Sequence, residues 1–138
     1  EELEQHNWDL VAKYREMAGE VRHELYRCDD DLDVLVVAYG TVARIARTSI
    51  DALREKGVKV GLFRPVTLYP YPTEALVTTA ERAGKLLVAE LSTGQMVEDV
   101  RAALQGRRPV EFFGRAGGMV MSADELADQV EKLAAVTA

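Results

Sequence analysis

The sequence predicts an α/β fold in which a largely parallel sheet carries helices on both faces. Two observations predict it. Short apolar runs alternate along the chain with amphipathic segments of helical period, which is the order that produces parallel sheets. The run DVLVVAY at residues 33–39 is nearly all apolar and rich in valine, as expected of a central strand buried on both faces. A chain of 138 residues fits one domain, which we divide into an N-terminal helix over 1–22 and a sheet domain over 23–138.

Residues 2–22 predict one long helix. The positions of its stripe recur at alternating steps of four and three, at Leu3, Asn7, Leu10, Tyr14, Met17 and Val21. Two interpretations stay open for this stripe. Either it packs on the sheet as the first core helix, or it is an arm that packs partly on another subunit.

A short strand over 23–28 and an acidic turn follow. The turn contains Asp29, Asp30, Asp31 and Asp33, and it lacks the spacing and the later glutamate of a calcium loop, so a solvated turn is expected. No crossover helix separates this strand from the next. The first strand must therefore lie antiparallel or leave the sheet.

The remaining elements are predicted from apolar period and from glycine and proline punctuation. Strands are expected at 33–39, 58–63, 86–91 and 110–113. Helices are expected at 42–56, at 74–83 with Thr73 as its cap, from 93 or 94 to 104, and from 122 to 136. The proline-containing segment 64–72 and the glycine-rich segment 114–118 are expected to be loops.

Two helix starts have the spacing of a capping box. Ser92 and Gln95 form one candidate pair, and Ser122 and Glu125 form the other. In such a box the hydroxyl and the longer side chain each bond a free backbone N–H of the first turn.

The totals exclude several classes of function. A net charge of −6 argues against a nucleic-acid surface, and no apolar run reaches the length of about 20 residues that a membrane span needs. The single cysteine, Cys28, excludes an internal disulfide framework and a self-contained iron–sulfur or zinc site, which fits a cytoplasmic protein. Because the chain opens at Glu1 without a methionine, we expect it to be a piece of a longer polypeptide.

Few residues form a recognisable catalytic motif. Gly40 and Thr41 follow a strand, but no glycine-rich phosphate loop surrounds them, so a tight turn is expected. His6 and His23 lack metal-site or triad spacing, and Cys28 has no neighbouring base.

A local basic edge is one candidate site. Arg64, Arg115 and the pair Arg107 and Arg108 could together contact coenzyme A or a partner's carboxylate, and the glycine-rich loop from Gly114 could expose N–H groups to an anion. A plain connecting loop is the alternative.

Glu90 ends a buried strand, where an unpaired carboxylate is costly. It is expected either to be solvated or paired with an arginine, or to contact a partner or cofactor domain. Met96 and Val97 are expected to be exposed on the first turn of the following helix, where a methionine suits a protein interface. Glu98 and Asp99 are expected to be solvated or interfacial.

Four loop motifs stand in order along the chain: VVAYGTVAR at 36–44, KVGLFRPVTLYPYP at 59–72, ELSTGQMVEDV at 90–100 and FGRAGG at 113–118. Together they resemble the alpha subunit of 2-oxoacid:ferredoxin oxidoreductases, in the branch that acts on 2-oxoglutarate or 2-oxoisovalerate. The resemblance implies the domain after the pyrimidine-binding domain, similar to the C-terminal domain of transketolase. That fold is a three-layer α/β/α sandwich with a mixed five-stranded sheet whose first strand is antiparallel.

The resemblance also implies a function. The whole enzyme would oxidatively decarboxylate a 2-oxoacid, with 2-oxoglutarate as the expected substrate, form an acyl-coenzyme A and reduce ferredoxin. Thiamine diphosphate, magnesium and iron–sulfur clusters would be bound outside this domain, which would have no catalytic residue and would bind no metal. Its partners would be the pyrimidine-binding domain and the beta subunit, and a homodimer through the first helix is possible. The alternatives are a C-terminal domain of another thiamine enzyme, such as transketolase or a 2-oxoacid dehydrogenase beta subunit, or a free-standing α/β ligand-binding module.

The loops expected to form interfaces lie at the carboxyl ends of strands, and hence on one edge. Their residues are Arg64, Pro65, Tyr69, Tyr71, Glu90, Ser92, Gly94, Gln95, Met96, Glu98, Gly114, Arg115, Gly117 and Gly118.

Overall fold

The computed structural model describes residues 1–135 and contains a mixed five-stranded sheet between two layers of helices. The strands are β1 (His23–Tyr26), β2 (Leu32–Val37), β3 (Val60–Pro65), β4 (Ala83–Glu90) and β5 (Val110–Gly114). The helices are α1 (Glu2–Met17), α2 (Gly40–Glu55), α3 (Thr73–Ala80), α4 (Met96–Leu104) and α5 (Ala123–Ala135), and a single 3-10 turn (Ala18–Glu20) follows α1.

The strand order is β1-β3-β2-β4-β5. Strands β2 to β5 are parallel, and β1 pairs antiparallel with β3. The expectation of an antiparallel first strand is confirmed, and the three-layer α/β/α class with it.

The core lies on both faces of the sheet because the side chains of β2 alternate between them. Val34 and Val36 pack toward α2 and α5, whereas Leu35 and Val37 pack toward α3 and α4. All four are fully or almost fully buried, as the valine-rich run predicts for a central strand.

Helix α1 contributes no buried residue, so the interpretation of this helix as a core helix is wrong for the described residues. Of its predicted stripe, Leu3 and Tyr14 are exposed, at 73% and 45%, and Leu10, Met17 and Val21 are half-buried. The helix also ends at Met17 rather than near residue 22, because Gly19 and the 3-10 turn follow it.

Several predicted boundaries shift by a few residues. Helix α3 begins at Thr73 itself, whose side chain therefore does not cap it, and no side chain replaces that cap. Strand β4 begins three residues earlier than expected because Ala83 already pairs with Leu32 on β2. The predicted end of α5 at residue 136 lies outside the described residues.

The acidic turn is held by arginines and by the backbone. Asp30 pairs with Arg54 at 3.1 Å, and Asp31 pairs with Arg82 at 3.4 Å. Asp33 accepts a hydrogen bond from the backbone N–H of Lys59 at 3.0 Å. The turn is therefore tied to its neighbours as well as exposed to solvent.

Candidate functional site

The carboxyl ends of β2 to β5 meet at one edge of the sheet, which we call the carboxyl edge, because these four strands are parallel. The expected interface residues are distributed over three successive segments of that edge. The first segment follows β3, which ends with Arg64 and Pro65, and it contains Tyr69 and Tyr71. The second follows β4, which ends with Glu90; it contains Ser92, Gly94 and Gln95 and continues into α4 with Met96 and Glu98. The third follows β5, which ends with Gly114, and it contains Arg115, Gly117 and Gly118.

Glu90 caps the N-terminus of α4 from the end of β4. Its Oε1 accepts hydrogen bonds from the backbone N–H groups of Met96 at 2.9 Å and Gln95 at 3.4 Å, and its Oε2 accepts from Val97 at 3.0 Å. A carboxylate is stabilised there by the free N–H groups and by the helix dipole. Glu90 is thus paired with backbone rather than with an arginine, and its side chain has no exposed surface for the expected partner contact.

The capping box predicted for Ser92 and Gln95 does not form. The Ser92 hydroxyl accepts from the backbone N–H of Gly94 at 3.1 Å and donates to Glu90 at 3.3 Å, and the side chain of Gln95 makes no capping bond. The helix begins at Met96, two to three residues later than expected. The reason is that Glu90, from a neighbouring element, already occupies the N–H groups that a local box would use.

Met96 and Val97 are 4% and 2% exposed, so the expectation that they lie exposed at the loop edge is wrong. Because Glu90 holds this turn against the end of β4, both side chains point into the core beside α3 and β4. Glu98, by contrast, is exposed and pairs with Arg101 at 2.8 Å.

The ends of β4 and β5 approach each other closely at Gly114. A Cβ added to Gly114 would lie 2.5 Å from the backbone oxygen of Ser92, which is far inside van der Waals contact. Just beyond, the backbone N–H of Arg115 donates to the carbonyl oxygen of Glu90 at 3.1 Å. Only a residue without a side chain fits where these two loops meet.

The glycine-rich loop is held by an ion pair of Arg115, whose buried Nε has no hydrogen-bond partner among the described residues. The guanidinium of Arg115 donates to Glu125 on α5 and lies 5.9 Å from the ring centre of Phe113. Gly117 and Gly118 both have positive φ, at 67° and 81°, and form the turn that follows.

The proline-containing loop packs against α1. The rings of Tyr69 and Tyr14 meet edge to face with their centres 5.7 Å apart, and an open cavity of about 560 Å³ lies between the two segments. The buried hydroxyl of Tyr71 has no hydrogen-bond partner among the described residues. Burial, with a smaller contribution from Asp99 and Glu90, raises the pKa of Tyr71 far above its ordinary value.

The predicted basic edge is not one site. Arg107 and Arg108 follow the C-terminus of α4, at the opposite edge of the sheet, where Arg108 donates to the carbonyl oxygens of Ala80 and Glu81. Arg64 and Arg115 do lie at the carboxyl edge, but β2 and β4 separate their strands. The sequence could not show this, because it does not reveal the strand order.

A different group of arginines does converge at the carboxyl edge. We call Arg44, Arg47 and Arg64 the arginine cluster; together with Ala43 they line a cavity of about 290 Å³. Glu24 on β1 accepts from Arg47 at 3.1 Å and from Arg64 at 2.9 Å through the same oxygen. The signal that could have revealed the cluster is the three-residue spacing of Arg44 and Arg47 at the start of the helix after β2, which places both on one helix face.

Neither histidine nor the cysteine forms a reactive centre in the described part of the chain. The ring of His23 stacks on Phe63 with 5.3 Å between ring centres. Burial raises the pKa of the Cys28 thiol, which lies 3.4 Å from the carbonyl oxygens of Tyr26 and Leu62. No group of three or more His, Cys, Asp or Glu side chains in residues 1–135 is placed to hold a metal ion. No helix in the same residues is long and apolar enough to cross a membrane.

Large apolar side chains are exposed mainly on the carboxyl edge and on α1. The described residues of this kind at the carboxyl edge are Val66, Leu68, Tyr69, Leu91, Met119 and Val120. On α1 they are Leu3, Trp8 and Tyr14. Sequence reasoning expected exposure on α1 as one of two alternatives and did not single out Leu68, Leu91, Met119 or Val120.

Comparison with known proteins identifies related chains. The chain is 40% identical over 134 residues to the ketoisovalerate oxidoreductase subunit VorB of Methanothermobacter thermautotrophicus, covering 96% of this chain and 37% of that subunit. It is 31% identical over 125 residues to the 2-oxoglutarate synthase subunit KorA of the same organism, covering 91% of this chain and 32% of that subunit. The chain therefore spans about a third of the length of these relatives.

Two solved structures share the fold. A 2-oxoglutarate:ferredoxin oxidoreductase from Magnetococcus marinus superposes with a TM-score of 0.75 at 20% identity, covering 82% of this chain and 20% of that one. A split-gene transketolase, solved as an inactive tetramer of four beta subunits, superposes with a TM-score of 0.69 at 21% identity, covering 85% of this chain and 42% of that one. At these identities the likeness shows the fold, and it confirms the expected similarity to transketolase C-terminal domains.

The family model for pyruvate:ferredoxin oxidoreductase core domain II matches residues 32–126, which include β2 to β5 and all the loops of the carboxyl edge. This match and the two subunit relatives agree with the four loop motifs. The chain therefore belongs to the core domain II family of the 2-oxoacid:ferredoxin oxidoreductases.

Proposed function

We propose that this chain is a non-catalytic interface domain within a subunit of a 2-oxoacid:ferredoxin oxidoreductase. The observation that supports it is the distribution of exposed apolar side chains over the carboxyl edge and α1. Neighbouring exposed apolar residues mark contact surfaces, since single soluble chains keep such patches small. The contact between Tyr14 and Tyr69 joins the two regions, so one partner surface can cover both.

The polar groups at the same edge support a structural role. Glu90 and Arg115 have their charges engaged inside the chain, by the N-terminus of α4 and by Glu125. A general acid or base must have a free atom within reach of the substrate. These two side chains instead hold the loops of the edge in a fixed shape for a partner to contact.

The cofactors implied for the whole enzyme do not fit the donor groups of this chain. An iron–sulfur cluster takes four thiolates, whereas the sequence contains one cysteine. Mg²⁺ takes carboxylate oxygens, and the buried carboxylate at the carboxyl edge, Glu90, already uses both of its oxygens. We therefore propose that thiamine diphosphate, magnesium and the clusters are bound by the pyrimidine-binding domain and the beta subunit.

The substrate class that we propose is a 2-oxoacid. The ketoisovalerate relative is more similar to this chain than the 2-oxoglutarate relative is, at 40% against 31% identity. This difference gives no support to the narrower expectation of 2-oxoglutarate. The Magnetococcus marinus enzyme is described with coenzyme A and succinyl-coenzyme A bound, which supports acyl-coenzyme A as the class of product and ferredoxin as the electron acceptor.

The proposal is tested in the assembled enzyme that carries this chain, with the double variant Trp8→Glu/Tyr69→Glu. Two buried charges at the proposed interface should weaken assembly, because each must be desolvated without a partner. Size-exclusion chromatography with light scattering should show a smaller particle, and ferredoxin reduction driven by the 2-oxoacid should fall with it. The variant chain alone should unfold like the parent, since both side chains are exposed.

The matched control is Ala102→Glu, a new charge on an exposed position of α4 away from the carboxyl edge. It should leave both the particle mass and the activity unchanged.

Normal assembly of the double variant would contradict the interface role. Tight binding of thiamine diphosphate to the chain alone, measured by calorimetry, would contradict the non-catalytic role. A dimer of the chain alone that the double variant abolishes would identify α1 as a self-association surface.

A further inference from the structure

We propose that the arginine cluster is a binding site for a phosphate dianion, either free or carried as a monoester by a small molecule. Its three arginines line one cavity at the carboxyl edge, between β3 and the start of α2. The cavity volume of about 290 Å³ is close to the lower end of small-molecule sites, which begin at about 300 Å³.

The charges of the cluster are not balanced within the described chain. Arg44, Arg47 and Arg64 carry three positive charges, and Glu24 is the one carboxylate that contacts them. The remaining two positive charges equal the charge of a phosphate dianion. This imbalance is local, because the whole chain has a net charge of −6.

The hydrogen-bond donors of the cluster are also incompletely used. The side chain of Arg44 makes no hydrogen bond or ion pair with any residue from 1 to 135, and the buried Nε of Arg64 has no partner there. A buried donor without an acceptor is rare in folded proteins and indicates a missing ligand atom or water. Arginine presents its donors as a planar fork that matches two oxygens of a phosphate at once.

Two of the three arginines are held in place before any ligand arrives. The guanidinium of Arg47 lies 5.1 Å from the ring centre of Tyr26, whose hydroxyl donates to Asp51 at 2.8 Å. Arg64 extends from the end of β3 and is anchored by Glu24. Arg44, whose exposed side chain has no partner among the described residues, can close over a bound anion.

A phosphate fits this arrangement better than a partner's carboxylate does. Glu24 already supplies a carboxylate oxygen to Arg47 and Arg64. A second carboxylate would add one negative charge, which would leave one of the two unbalanced positive charges uncompensated. A phosphate brings two charges and three terminal oxygens, enough for three guanidinium groups. Glu24 then competes with the ligand and limits its affinity, which gives the proposal a distinctive test.

The test is calorimetric titration of the chain with inorganic phosphate and, separately, with adenosine monophosphate, at constant ionic strength. Arg44→Gln should weaken phosphate binding by about ten-fold or more, because it removes a charge-assisted donor without touching the fold. Glu24→Gln should strengthen binding by about three-fold, because it removes a like charge beside the anion. Tighter binding of the monoester than of phosphate would identify a phosphorylated small molecule as the ligand, and the reverse would identify free phosphate.

The matched control is Arg107→Gln, another exposed arginine whose side chain makes no hydrogen bond to the described residues, at the opposite edge of the sheet. It should leave the affinity unchanged. The proposal is wrong if phosphate binds no better than acetate at the same ionic strength, or if Arg107→Gln weakens binding as much as Arg44→Gln. Tighter binding of an acidic peptide than of phosphate would also contradict it and would assign the cluster to a protein partner.

Discussion

The carboxylate of Glu90 links the end of β4 to the N-terminus of α4. It is completely buried, and its two oxygens receive the first N–H groups of α4. A buried carboxylate is tolerated only where such donors compensate its lost hydration. The position of the 91–95 turn, and the burial of Met96 and Val97 that follows from it, depends on this one side chain.

We predict that Glu90→Gln lowers the free energy of unfolding by about 2 to 4 kcal/mol, because the amide keeps one acceptor and turns an N–H₂ group toward backbone N–H groups that then lack a partner. Chemical denaturation of the parent and the variant measures the change. The matched control is Glu98→Gln on the same turn. Its exposed pair with Arg101 contributes little, so the change should stay within about 0.5 kcal/mol. Equal stability of the Glu90 variant and the parent would contradict the capping role.

The helices that start at Met96 and Ala123 illustrate two ways of capping. The second predicted capping box is confirmed: the Ser122 hydroxyl accepts from the backbone N–H of Glu125 at 3.1 Å, and Glu125 accepts from the backbone N–H of Ser122 at 2.8 Å. The first box fails because a buried carboxylate from β4 takes its place. Local spacing therefore predicts a cap only where no distant group competes for the same donors.

The cap of α5 makes part of the stability depend on pH. The backbone hydrogen bond from Ser122, aided by Arg115, holds the pKa of Glu125 below its ordinary value. The folded state therefore binds a proton less readily than the unfolded state does. The contribution of this group is fully present above the unfolded-state value of about 4.3 and is lost as the pH falls through the lower folded value.

We predict that Glu125→Gln reduces the loss of stability on acidification, because the variant has no carboxylate to protonate at this cap. Unfolding curves between pH 7 and pH 3 measure this slope. Glu81→Gln is the control, since the side chain of Glu81 is exposed and makes no hydrogen bond or ion pair in the described chain. The same slope for parent and Glu125 variant would contradict the assignment.

At the scale of the whole molecule, the sheet separates two apolar cores and α1 belongs to neither. Helices α2 and α5 close one core, and α3 and α4 close the other. The stability of the fold is therefore expected to come from residues 22–135. Helix α1 is left with the exposed apolar side chains that the proposed function assigns to an interface.

We predict that deletion of residues 1–20 leaves a cooperatively folded domain whose free energy of unfolding changes by less than about 1 kcal/mol, because no residue of α1 is buried. Circular dichroism and urea denaturation measure this. Leu35→Ala, in the central strand, should instead cost about 2 to 5 kcal/mol, because it leaves a cavity in the core. Loss of the cooperative transition in the shortened chain would show that α1 is part of the fold.

The site was partly predictable from the sequence. The loops at Arg64, Glu90 and Gly114 could be assigned to one edge, because each follows a strand-like run in an alternating β and α order. Their contacts could not. Glu90 caps α4 in place of the predicted box of Ser92 and Gln95, and Met96 is buried. Both outcomes depend on which segments lie next to each other in space.

The sequence by itself determined the α/β class, a first strand that is either antiparallel or outside the sheet, the family resemblance and the apolar stripe of α1. Those features follow from periodicity, from loop length and from local motifs, all of which are properties of neighbouring residues. Only the tertiary structure decided that α1 lies outside both cores and that Arg107 and Arg108 lie opposite Arg64. Only the strand order β1-β3-β2-β4-β5 brings Glu24 and Arg64 together beside the start of α2, and strand order is set by packing between distant segments.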